Sequence, residues 1–165
     1  MTTTLTEERC DTLHASFTLP ATLRSAALAR KMTASALASW EFTADCDVTL
    51  LLVDEVFVNA VLHGVGELGQ AARITVDLLP LTSARLRVEV HDPNLGDGDG
   101  VKVRHPDTEA ENGHGLELVE ALSISWGCEE TAVGKYVYFE LESCAEPDSD
   151  RSSCDADSQL GLVGR

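Results

Sequence analysis

The stretch Asp47–Gly64, DVTLLLVDEVFVNAVLHG, decides how this chain is read. Wound at about 100° per residue, it places Val48, Leu50, Leu51, Leu52, Val53, Val56, Phe57, Val58, Val61 and Leu62 at nearly every angle. That is the pattern of a buried central helix. Glu55, Asn59 and His63 break the pattern, and they do so four residues apart, on one narrow stripe. A carboxylate and a carboxamide held against apolar neighbours cost free energy unless something satisfies them, so a buried stripe implies a ligand, a metal ion or water. The other reading is a thin solvent-facing edge with Asp47 and Asp54 at its margin.

The bulk numbers bound what such a helix can belong to. At 165 residues, 44% hydrophobic and 24% charged, the chain suits one domain with a real core. Its apolar runs are too short and too polar to span a bilayer, and MTTTLTEERC lacks an apolar signal core, so a cytoplasmic protein is expected. Cysteines 10, 46, 128, 144 and 154 form no CxxC pair, which fits reduced thiols. Twelve basic against 28 acidic residues give a charge of −16, which repels nucleic acid and anionic membranes. Neither is expected as a direct partner, and a phosphate ligand would need a bridging cation.

Residues 1–12 have no periodicity and are expected to be flexible. His14 to Leu19 reads as a short strand stopped by Pro20. Ala21 to about Trp40 reads as an amphipathic helix with Leu28, Ala29, Met32, Ala36 and Trp40 inward. Asp45 and Asp47 offer capping oxygens to the central helix, and Gly64 and Gly66 suit a left-handed stop. Ile74, Val76 and Leu78, then Leu86, Val88 and Val90, alternate with polar residues on either side of Pro80-Leu-Thr-Ser, which predicts an antiparallel hairpin. Continuing the period of two carries Asp92 to the apolar face, under the helices. About 93–112, rich in Gly and Asp, reads as a lid. A helix is expected from Gly113 to about Leu122, with Leu116, Val119 and Leu122 inward. Two strands follow, through Ile124, Trp126 and Cys128 and through Val137, Phe139 and Leu141. The domain is therefore 13–142, and the polar, acidic 143–165 is a tail that buries too little surface to order.

The helix with Glu55 and Asn59, an inward Asp92 at a strand end, and Gly113-His114-Gly115-Leu116 opening a helix form an ordered constellation. A Gly-rich turn before a helix presents backbone N–H groups and the helix dipole to an anion. In order and spacing the chain resembles, over roughly Phe17 to Glu142, the GHKL (Bergerat-fold) ATPase/kinase superfamily of gyrase B, MutL and histidine kinases. Within it the similarity is greatest to bacterial anti-sigma factor serine/threonine kinases. The family's box E-x-x-x-N-A-x-x-H-G stands here as Glu55-Val-Phe-Val-Asn59-Ala60-Val-Leu-His63-Gly64. D-x-G-x-G is matched in part by Asp92-Pro93-Asn94-Leu95-Gly96, and G-x-G-L by Gly113-His114-Gly115-Leu116.

The resemblance implies a two-layer α/β sandwich, a mixed, mostly antiparallel sheet with three helices on one face. It implies ATP and Mg²⁺ as cofactors, Asn59 holding the metal at the phosphates, Glu55 as general base, and Asp92 accepting a hydrogen bond from the adenine amino group. Asn94, Gly96, Gly113, His114, Gly115 and Leu116 complete the expected nucleotide contacts. Tyr136 falls where the family often has a threonine at the start of the last strand, so either that adenine bond is lost or the alignment slips by one residue. His63 belongs to the box or is a buried histidine satisfied by a backbone carbonyl. The function implied is phosphorylation of an anti-anti-sigma protein and sequestration of a sigma factor. The alternative is an ATP-binding regulatory module without catalysis; a homodimer is left open.

Overall fold

The computed structural model describes residues 13–40, 42, 45–93 and 115–142. The expected N-terminal segment, the tail and all of the expected lid but Pro93 lie outside the described residues. So do four of the expected nucleotide contacts, Asn94, Gly96, Gly113 and His114.

Alternation of apolar and polar residues builds the sheet. β2 (Arg73–Pro80) and β3 (Arg85–Asp92) bury every second residue, as a strand with one covered face must. They join β1 (Ala15–Pro20), β4 (Ser125–Thr131) and β5 (Gly134–Glu142) in the order β1-β2-β3-β5-β4, every pairing antiparallel. Phe17, Val76 and Val90 lie in register on the inner face, and Leu78, Val88 and Phe139 form the next row. Against that face the helices close a core in which Phe57, Phe139, Leu37, Leu52, Ile74, Leu78 and Leu86 are fully buried.

Helix α1 (Leu23–Ser39) starts where the Thr22 hydroxyl accepts the Ser25 N–H. Its buried face is Ser25, Ala26, Ala29, Thr33 and Leu37, whereas Leu28 and Met32, expected inward, are exposed. Ala29 is inward as expected, and apart from Leu37 the buried residues are small, so side-chain bulk is a poor guide to this face. Helix α2 (Cys46–His63) begins with the Asp45 carboxylate accepting the Val48 N–H at 3.1 Å. Thr49, Leu52, Val53, Val56, Phe57 and Ala60 are buried, but Leu51 and Leu62 are exposed, so α2 is central without being enclosed.

The stop at Gly64 is not left-handed. Its φ is −100°, and its N–H donates to the Ala60 carbonyl at 2.7 Å. A 3₁₀ segment, Gly66–Ala71, follows and breaks at Gly69, where φ is 50°. Helix α3 (Gly115–Leu122) buries Val119 and half-buries Leu116; Leu122, expected inward, is exposed at the helix end. No helix among the described residues is long and apolar enough to cross a membrane.

Candidate functional site

Helix α2 sets Glu55 and Asn59 one turn apart, both half-buried. At this point α3 begins against α2, and the closeness of the two is set by Gly115: a Cβ there would lie 2.8 Å from Glu55 Oε2. Any larger residue at the start of α3 would push the carboxylate aside. Gly115 and Glu55, drawn from two of the three sequence boxes, are thus adjacent.

At the other end of the stripe lies Asp92, the last residue of β3, 5% exposed and on the inner face as the strand period predicts. Two glycines clasp it. A Cβ at Gly64 would come 2.4 Å from Asp92 Cγ, and one at Gly134, at the start of β5, 2.0 Å from the Asp92 backbone oxygen. Glu55 and Gly64 are nine residues apart in sequence, which at 1.5 Å per residue is about 13 Å along the axis of α2. The arrangement suits an elongated ligand with a polar edge to be read at Asp92 and negative charge to be managed near Asn59 and α3.

His63 does not belong to this buried stripe. It is exposed at the last turn of α2, so it is not the buried histidine of the alternative reading, because α2 runs out of cover before its end. Tyr136 lies on the wrong side of the sheet for the site. Asp92 pairs across the ladder with Lys135, and His91 with Tyr136. Since side chains alternate, Lys135 shares the inner face with Asp92 while Tyr136 shares the outer face with His91. Tyr136 therefore does not face Asp92. Ring contact with His91 at 4.8 Å and a hydrogen bond from its hydroxyl to the Glu129 carboxylate hold Tyr136 there. Partial burial and that bond push its hydroxyl up to about 12.

Lys135 and Gly134 escaped the sequence reading. The alternation that puts Val137, Phe139 and Leu141 on the apolar face puts Lys135 there too, and the pairing of β3 with β5 sets it opposite Asp92. Cys128 lies further along the inner face, opposite Val137. Burial pushes its thiol up, with Lys135 opposing and Asp92 adding to the shift.

The donor chemistry fits Mg²⁺: Asn59 and Glu55 are hard oxygen donors one turn apart, and such an ion keeps most of its ligands as water or phosphate. Asn59 would hold it, and Gly115 leaves the space beside Glu55 without a side chain.

A model of the family described as the histidine kinase-like ATPase domain matches residues 19–140. The chain has no match among curated proteins. The crystal structure of the RsbU and RsbW domains of Rv1364c from Mycobacterium tuberculosis is similar in fold, with a TM-score of 0.56 and 22% identity. The alignment covers 78% of this chain and 32% of that one, so the chain spans about a third of the length of the solved structure.

Proposed function

The chain belongs to the histidine kinase-like ATPase domain family, and from that premise we propose that it binds Mg-ATP along α2 and transfers phosphate to a serine or threonine of an anti-anti-sigma protein. Sequestration of a sigma factor is part of the same reading. The observation that carries it is the arrangement of Glu55 and Asn59 on α2, with Gly115 against Glu55 and the buried Asp92 against Gly64.

Asp92 accepts the adenine amino group, a role for which a buried carboxylate at a strand end is suited because it offers acceptors only. Asn59 would hold Mg²⁺, and Glu55 takes the proton of the attacking hydroxyl. Gly115 and Leu116, with Asn94, Gly96, Gly113 and His114 by family pattern, line the nucleotide. When bound, Mg²⁺ neutralises phosphate charge; phosphoryl transfer otherwise needs mainly positioning. Tyr136, on the outer face, does not make the adenine bond of the family's threonine, so the ATP-binding module without catalysis stays the alternative that the experiment below decides.

The test is transfer of radiolabelled phosphate from ATP to candidate anti-anti-sigma proteins by wild type and Glu55→Gln. Loss of a positioned base costs about 10²–10⁴ in rate, while removing a negative charge beside the nucleotide leaves binding at least as strong. Glu55→Gln therefore binds ATP and fails to label. Wild type that binds ATP and labels no candidate, with Glu55→Gln indistinguishable from it in partner binding, supports the binding module instead.

A further inference from the structure

The face of the sheet away from the helices carries a second constellation, independent of the nucleotide reading. Asp77 and Glu89 stand directly opposite each other on β2 and β3. Like charges in that relation are destabilising, yet nothing in the core requires them there. His91, two residues along β3 from Glu89, aims Nε2 at both: 3.2 Å from Asp77 Oδ2 and 3.2 Å from Glu89 Oε2. The three donor atoms all lie within 4.8 Å of one another, and all three residues are half-buried.

We propose that Asp77, Glu89 and His91 form a binding site for a divalent transition-metal ion of the zinc class. In a tetrahedral site with metal–ligand bonds near 2.1 Å, neighbouring ligand atoms are about 3.4 Å apart, so the two 3.2 Å separations are close to the edges such an ion sets. One imidazole with two carboxylates favours zinc and its neighbours over magnesium or calcium, which take oxygen alone.

The surroundings hold each ligand in place. The Tyr136 ring packs on His91, and Tyr136 is itself tied to Glu129. Arg87 Nε occupies the other oxygen of Glu89 at 2.7 Å. His14, just ahead of β1, reaches the other oxygen of Asp77 with Nε2 at 3.3 Å. Partners that fix ligand orientation in this way typically alter metal affinity 10–100-fold. His14 is also 51% exposed, free enough to swing in as a fourth ligand, so that the ion would tie β1, β2 and β3 together.

The probe is zinc chloride, titrated calorimetrically into the full chain after chelator treatment, beside His91→Ala and Asp77→Asn, with circular dichroism to establish folding. Wild type is expected to take up one ion that both variants lose, or bind at least about tenfold more weakly, and zinc should raise the melting temperature of wild type alone. Asp77→Asn relieves the opposed charges, so it folds without metal at least as well as wild type. Cobalt(II) in place of zinc should give ligand-field bands without the charge-transfer absorption of a thiolate. Uptake that is the same in all three proteins, no uptake by wild type, or a cobalt spectrum of thiolate ligation alone overturns the proposal and leaves an ion-pair cluster only.

Discussion

Gly64 and Asp92 touch so closely that no side chain fits between α2 and β3 at this point: a Cβ on Gly64 would lie 2.4 Å from the Asp92 carboxyl carbon and 2.6 Å from the Ala60 carbonyl oxygen. With φ at −100°, the backbone there would accept any residue. The glycine is required by proximity alone. Gly64→Ala is accordingly expected to cost about 1–3 kcal/mol, as overpacking does, and to weaken ATP binding by displacing Asp92. Denaturant unfolding measures the first and calorimetry the second; an alanine variant as stable as wild type would show that the two elements separate freely.

Gly115 poses the opposite case. Its missing Cβ would meet the tip of Glu55, 2.8 Å away, a flexible group that can move. Gly115→Ala should leave stability within about 1 kcal/mol of wild type, helped by alanine's helix propensity, while phosphate transfer drops about 10²-fold because the base is misplaced. Unimpaired transfer by this variant would mean that the position of Glu55 does not matter to the rate.

Thr33 is fully buried in α1, and its hydroxyl finds no hydrogen-bond partner among the described residues. An orphaned buried hydroxyl costs roughly 1–3 kcal/mol. Thr33→Val keeps the shape and removes the orphan, so the melting midpoint should rise by the equivalent of about 1 kcal/mol. A fall would reveal that the hydroxyl is satisfied in solution.

Tyr136→Phe separates the two faces of the sheet. ATP affinity should be unchanged, because the side chain lies opposite Asp92. The hydroxyl, pushed up to about 12 by partial burial and by Glu129, against about 10 for a free tyrosine, favours folding while it is protonated. Its contribution is whole below about pH 10 and is lost as pH rises through about 12. The stability of wild type relative to Tyr136→Phe should therefore shrink as pH climbs above about 10; a constant difference would contradict the assignment.

Much of this was legible before any coordinates. A period of two carries Asp92 to the buried face whatever the strand pairs with, and the capping acid and unbroken helical run mark α2. The adjacency of Gly115 to Glu55 was not legible, since it depends on how α3 lies on α2. Alternation with Val137, Phe139 and Leu141 puts Lys135, not Tyr136, on the apolar face, but period alone cannot give the register that sets Lys135 opposite Asp92. On α1 the buried face includes Ala26, Ala29, Thr33 and Leu37 but not Leu28 or Met32, so side-chain bulk alone does not mark it. The outer cluster was visible only as polar alternation. Pairing Asp77 with Glu89 made it a constellation.

The central claim is that nucleotide lies along α2 between Asn59 and Asp92, and calorimetric titration of ATP tests it most directly. Wild type should bind ATP, more weakly once Mg²⁺ is removed or Asn59 is replaced by alanine. Asp92→Asn exchanges a pure acceptor for a group that can turn a donor toward the adenine amino group, at an expected cost of about 2 kcal/mol or more, with folding intact. A folded Asp92→Asn protein that binds ATP as tightly as wild type would contradict the account.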